Sequence, residues 1–194
     1  MRGNTGGMRN KLSMLLLACV AMTACAVDDP VSGYASDYQT ALERQQGTED
    51  QEVIERGVER FRQTLGDFSR DDLAERVAEL YAADVYFNDT FKTITSRGDI
   101  VEHLAATGEQ VASSNVEVQQ IIVKGQDAYL RWLMDFRFTA AGKTIDSRSI
   151  GMSHLRFNED AEVILQQDFW DSTEGFFAHV PYVGYWVRRV RGDL

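Results

Sequence analysis

Cysteine is nearly absent from this chain of 194 residues: there are two, Cys19 and Cys25, both in the first segment. No disulfide can brace the remainder of the chain, whatever the compartment. Basic charge is also scarce, with 20 Lys and Arg against 30 Asp and Glu. That balance argues against nucleic acid as a partner, because neutralising phosphate needs the opposite sign. No apolar run approaches the roughly 20 residues of a membrane-spanning helix. There is no glycine-rich phosphate loop, no nucleophile elbow and no internal repeat. The three histidines are not at ligand spacing, so no metal site is expected, and no motif calls for a cofactor. What is present is enough apolar residue, 44% of the chain, to build one core.

The N-terminus reads as a targeting signal. Arg2, Arg9 and Lys11 are followed by an uncharged, mostly apolar run of 13 residues, Leu12 to Ala24. Its length suits a signal-peptide h-region, with Met1 or Met8 as initiator. The run ends Ala21-Met22-Thr23-Ala24-Cys25, which resembles a lipobox, so residues 1–24 are expected to be removed and Cys25 to carry lipid. Cys19 lies too close to Lys11 for the same role, and an ordinary cleaved signal with a spare cysteine is the plainer alternative. Residues 1–24 hold three of the bases and none of the acids, so 17 bases face 30 acids in the remainder, a net charge of −13. Ala26 follows the cysteine, and by the usual sorting pattern of lipoproteins this favours the periplasmic face of the outer membrane in the cell envelope. Residues 25–47 are polar and read as a flexible tether, with a helical stretch around Tyr38 to Arg44.

Residues 48–194 read as one domain. Thr48-x-x-Gln51 is a capping-box pattern ahead of a helix carrying Ile54, Val58, Phe61 and Leu65 on one face and ending at Gly66. Ser69-x-x-Asp72 opens a second, with Leu73, Val77, Leu80 and Tyr81 buried. A short strand, Val85 to Asn88, comes next, and Ser96-x-x-Asp99 caps a third helix with Ile100 and Leu104 inward. Long strands follow at 116–124, 128–139, 144–157 and 162–170, separated by turn residues. Three helices followed by a meander is an α+β plan, with a curling sheet that leaves a pocket against its helices.

Two stretches carry a family resemblance. Leu80 to Asp89, with Arg97-Gly98-Asp99-Ile100, resembles the helix-to-strand entry and third helix of the nuclear transport factor 2-like superfamily, which includes ketosteroid isomerases and SnoaL-like polyketide cyclases. Met152 to Glu159 resembles the penultimate strand of the isomerases, and the ending from Gln167 to Asp171, with Phe176-Phe177 and the stretch 181–184, resembles a SnoaL-like branch of bacterial proteins. The resemblance implies a cone of three N-terminal helices against a curved antiparallel or mixed sheet. It puts Asp89 on the isomerases' base position, Ser153 where they hold a protonated aspartic acid, and Tyr81 on a supporting tyrosine. Phe61 is the nearest aromatic residue to the isomerases' helical tyrosine. Both oxyanion donors are therefore missing, and one such donor is worth on the order of 3 kcal/mol.

The residues allow a bland reading beside each functional one. Asp89 is a base at the pocket mouth or a turn residue before Thr90. Asp168 is a late-strand acid in the pocket or an ion-pair partner of Arg137 or Arg148. Strand alternation points Ser147, Ser149, Gly151, Ser153 and Leu155 inward, either leaving room for a ligand or letting a helix pack close. His103 falls at the pocket edge, His154 on the outward face and His179 near the C-terminal turn. Trp132, Met134, Phe136 and Phe138 share a strand face, which is core or the surface of a homodimer. The stretch 181–191 is aromatic and basic, and reads as a last helix that either docks on the acidic domain or lies on lipid. The expected function is binding of a small, mostly apolar molecule through Tyr81, His103, Ser153 and Trp170, with Asp89 and Asp168 as candidates for acid–base isomerisation or cyclisation. The rival is a non-catalytic assembly module with a filled pocket.

Overall fold

A computed structural model describes residues 33–140, 143–179 and 183–192. The expected signal peptide, Cys25, Pro181 and Tyr182 lie outside the described residues. The elements run α1 (Tyr34–Arg44), α2 (Gln51–Leu65), α3 (Leu73–Leu80), β1 (Tyr81–Asn88), β2 (Thr93–Ser96) and α4 (Arg97–Gln110). They continue with β3 (Val111–Lys124), β4 (Asp127–Ala140), β5 (Lys143–Phe157) and β6 (Val163–Trp170), then α5 (Ser172–Gly175), a short 3-10 turn at Phe177–His179, and α6 (Val183–Arg191). The strands form one mixed sheet in the order β2-β1-β6-β5-β4-β3. Only the β1–β6 pair is parallel. Register shifts between Val111 and Ser113 and between Val118 and Gln120 mark bulges in β3, which add to the sheet's twist.

The expected helix faces are the core. Ile54, Val58, Phe61 and Leu65 of α2 meet Leu73, Val77 and Leu80 of α3 and Ile100 and Leu104 of α4 over Leu130, Leu155 and Phe157 of the sheet. At Gly57 the helix comes so close to Phe157 that a Cβ would stand 2.5 Å from its ring. Ser96 caps α4 as expected, accepting from the Asp99 N–H. The start of α2 is two residues later than the capping pattern suggested. Asp50 is the cap, its carboxylate accepting from the N–H groups of Glu52 and Val53, while Thr48 Oγ1 accepts from the Asp50 N–H. A carboxylate that accepts two orphan donors outcompetes a hydroxyl. Ser69 does not cap α3, because it donates to Asp67 instead.

Within the expected tether, residues 34–44 form a helix, as the stretch around Tyr38 to Arg44 suggested. Helix α1 docks across β1 and β6 on the sheet face opposite α2–α4, burying Ala41 against Tyr86 and Leu165. Tyr38 OH donates to His154 Nδ1 at 2.7 Å, and Arg156 Nη1 donates to the carbonyls of Leu42 and Gln45 at 2.7 and 2.8 Å. His154 is therefore on the outward face, as alternation required, yet only 1% exposed, because α1 covers it.

At the other end, Arg191 of α6 pairs with Glu174 at 2.6 Å, Arg188 donates to the Ala178 carbonyl, and Gly184 is buried against that same residue. Of the two readings of this helix, docking holds for Arg188 and Arg191 and fails for the aromatic face: Tyr185, Trp186 and Val190 are exposed, Trp186 by 65%. No helix among the described residues is long and apolar enough to cross a membrane.

Candidate functional site

The curled sheet and helices α2 and α4 enclose a cavity of about 330 Å³. One wall is the alternating face of β4, with Trp132, Met134, Phe136 and Phe138 all pointing in. These four residues are thus the inside of the cone, not an outer pairing surface. Phe61 and Leu65 of α2 and Leu104 of α4 form the opposite wall. Phe91, Trp170 and Phe176 close one end through edge-to-face contacts at 5.3 to 5.5 Å.

The small residues of β5 serve packing more than space. A Cβ on Gly151 would lie 2.4 Å from the Trp132 ring and 2.8 Å from Trp170 Cβ. Ser147 donates to the Gly175 carbonyl, so this part of the stripe seats α5 and two indoles. Only Ser147 and Ser153 of the row line the cavity. Gly151→Ala is expected to cost about 1–3 kcal/mol by overpacking. Denaturant unfolding checks this, and a loss below about 0.5 kcal/mol would mean that the indoles move aside freely.

The polar end is built from three strands and one helix. Asp89 follows β1 in a tight turn where Thr90 takes a φ of 83°, an uncommon conformation for a β-branched residue. The turn is held by Asp89 itself: Oδ1 accepts from the N–H groups of Phe91 and Lys92, each at 2.9 Å. Oδ2 pairs with His103 Nε2 at 2.6 Å across from α4. Asp89 is therefore the expected turn residue through one oxygen, while its other oxygen meets His103 at the cavity. The Trp170 indole N–H donates to the Asp89 carbonyl at 3.0 Å.

Asp168 projects from β6 directly opposite Ser153 of β5. Its Oδ1 accepts from Ser153 Oγ at 2.6 Å, and that hydroxyl accepts in turn from the Trp132 indole N–H at 3.0 Å. Oδ2 accepts from Gln166 Nε2 at 3.0 Å, and Gln166 Oε1 accepts from Tyr81 OH at 2.6 Å. Burial pushes the Asp168 carboxyl up to about 7; the Ser153 and Gln166 hydrogen bonds oppose this, and the negative charge of Asp89 adds to it. No arginine shares in this: Arg137 pairs with Asp146 and Arg148 with Asp135. The ion-pair reading of Asp168 is thereby excluded.

Five of the six expected site residues line this one cavity: Asp89, Asp168, His103, Ser153 and Trp170. Tyr81 does not. It is fully buried one layer back, and its contribution is the hydrogen bond that orients Gln166. Gln166 itself was missed, although its position two residues before Asp168 on a strand gives the same facing. Position 153 itself carries no carboxyl, but one lies directly across the strand pair from it, at Asp168. His179 is exposed on the 3-10 turn, away from the cavity. Among the described residues no group of three or more His, Cys, Asp or Glu could hold a metal ion.

The model of the SnoaL-like domain family matches residues 58–165, so the match stops just before Asp168. No curated protein matches the chain. Among solved structures, a candidate SnoaL-like polyketide cyclase from Shewanella denitrificans superposes with a TM-score of 0.55 at 16% identity, over 63% of this chain and 93% of the other. A second, from Shewanella putrefaciens, gives 0.53 at 14% identity over 61% and 92%. A phenazine biosynthesis-related protein from Pseudomonas aeruginosa gives 0.52 at 13% identity over 70% and 88%. At these identities the likeness shows the fold alone.

Proposed function

We propose, from the premise that this chain belongs to the SnoaL-like domain family, that its cavity binds a small, mostly apolar molecule and moves a proton on it. The observation that carries this reading is a pair of aspartates at the polar end of an aromatic cavity of about 330 Å³. A volume of this order suits a small ligand, and a packed interior would have favoured the assembly module instead. Asp168 carries the proton: a carboxyl poised at about 7 gives or takes one near neutrality without a large driving-force penalty. Asp89, held by two backbone N–H groups and His103, is the second candidate acid–base group. Such a pair supports proton abstraction, isomerisation or cyclisation.

Native mass spectrometry of the chain purified from its own host tests the binding, with a retained small molecule as the expected result. Incubating that molecule with the protein in heavy water tests the chemistry. Deuterium incorporation is expected to slow about a hundredfold in Asp168→Asn. Protein that carries nothing from its host and takes up none of a panel of apolar ketones and apolar amines would end this reading.

The same proposal locates the domain at the cell envelope, held by lipid on Cys25. Its support is the lipobox-like sequence after an h-region of 13 residues. Stable attachment follows from two or more acyl chains, at about 0.8 kcal/mol per buried CH₂. Cys25→Ala is expected to move the protein from the membrane fraction to the soluble one. Unchanged fractionation, with no uptake of labelled palmitate by the wild type, would refute the anchor.

A further inference from the structure

We infer that the ligand of this cavity is an apolar amine, its ammonium seated at Asp168 and Asp89 and its body against the aromatic wall. The inference rests on the cavity being a ligand site, as under the proposed function, and adds the charge of the molecule that enters. Three ionisable residues line the cavity among the described residues: Asp89, His103 and Asp168. None is lysine or arginine, and Lys92, next to Asp89 in the turn, is exposed and off the lining. A buried carboxylate needs an opposite charge or a proton, and here the protein supplies no cation to Asp168.

The hydrogen bonds point the same way. The Trp132 N–H is engaged by Ser153, and the Ser153 hydroxyl and a Gln166 N–H are turned onto Asp168. Tyr81 OH is committed to Gln166 and the Trp170 N–H to the Asp89 carbonyl. These donors serve protein acceptors, so an incoming anion or carbonyl oxygen finds few of them free. Carboxylate lone pairs remain to face the cavity, and their complement is a group rich in donors. The indoles of Trp132 and Trp170 line the cavity with their N–H groups already satisfied, and a cation beside an indole gains cation–π attraction. A fatty or aromatic acid, by contrast, would bring a third negative charge to the same end of the cavity.

The arrangement also predicts a proton linkage. In the empty cavity Asp168 holds a proton below about 7, and an ammonium must displace it. Affinity for an amine therefore rises with pH through that midpoint and flattens above it. Below the midpoint it falls up to about tenfold per pH unit.

The test is isothermal titration of the full chain with three molecules of one shape and different charge: tryptamine, tryptophol and indole acetate. At about pH 8.5 tryptamine is expected to bind at least about tenfold more tightly than tryptophol, a difference of about 1.4 kcal/mol. Indole acetate is expected to bind least. The preference for tryptamine should shrink steadily below pH 7, and near pH 7 titration in two buffers should show roughly half a proton released per tryptamine bound. Asp168→Asn should bring tryptamine and tryptophol to similar affinities. The wild-type pH profile reads the same coupling if that variant folds poorly. Tryptophol or indole acetate binding as tightly as tryptamine at the higher pH would overturn the amine inference and leave the cavity as a ligand site. No binding by any of the three would count against the ligand site itself, and the amine would fall with it.

Discussion

Asp168→Asn is expected to make the folded chain more stable above neutral pH and to change little below about pH 4. The folded carboxyl titrates near 7 and the unfolded one near the ordinary 3.8. Between those values the native state holds a proton that the unfolded state has released, so wild-type stability falls as pH rises through that window. A raised acid of this kind stabilises the fold on the acid side and loses that contribution as the pH passes its folded midpoint. Between pH 5 and pH 8 the loss integrates to about 2–3 kcal/mol. Asparagine has no charge to bury, and its carbonyl can still accept from Ser153 Oγ. The stability of Asp168→Asn relative to wild type should therefore rise by about that amount over the interval. Urea unfolding at the two pH values measures it, and because only the difference between the two proteins is read, every other titration cancels. A constant difference would mean that Asp168 ionises as an ordinary surface acid and is not the proton carrier.

That Asp168 and Asp89 share a cavity was legible from two sources: the family resemblance placed Asp89 at the pocket, and strand alternation placed Asp168 there. Once the last strand was placed at 162–170, Asp168 and Trp170 had to face together, as did Ser153 and Leu155 on its neighbour. The helix faces were legible for the corresponding reason at a spacing of three and four. Tyr81 was misplaced for want of a boundary. As the last inward residue of a helix it would border the pocket, but the chain becomes strand at Tyr81, and the side chain enters the layer behind Gln166. β2 escaped notice because Thr93–Ser96 has four residues, none of them buried, and offers no apolar alternation. The docking of helix α1, whose helical stretch around Tyr38 to Arg44 was expected, escaped for a different reason. Ala41 is the one residue of this helix in the buried core, so no apolar stripe announces it, and its attachment is carried by Tyr38 and backbone carbonyls meeting polar groups more than a hundred residues away. Contacts of that kind have no period.

The strength of that attachment is the second large expected effect. Asp127, at the start of β4, accepts from Arg156 Nε at 2.6 Å and from His154 Nε2 at 2.8 Å. Tyr38 OH donates to the other nitrogen of His154, and Tyr129 stacks on its ring at 4.5 Å. Burial pushes the His154 imidazole below its ordinary value, against the pull of Asp127, which fits a neutral ring with its proton on Nε2. Burial also pushes Asp127 up, but its hydrogen bonds to Arg156 and His154 and the Arg156 charge carry it below the ordinary carboxylate range. Asp127→Ala removes the hub. It leaves the Arg156 guanidinium, 8% exposed, without a counter-charge and the His154 N–H, 1% exposed, without an acceptor. Breaking a buried pair on one side costs about 3–5 kcal/mol. The lower end applies here, because Asp127 is itself 27% exposed and Arg156 keeps two carbonyls of the α1 segment. Arg44→Ala is the matched control on the same helix: its pair with Asp84 is more than 60% exposed on both sides and should cost well under about 1 kcal/mol. Hydrogen exchange adds the location, since Asp127→Ala should deprotect the amides of α1 while those of β6 keep their protection. The latch should also weaken as pH falls below about 6.5, where the unfolded histidine gains a proton that the buried one resists, before Asp127 is itself protonated. Equal, small losses from Asp127→Ala and Arg44→Ala would show that α1 is held by its apolar contacts alone.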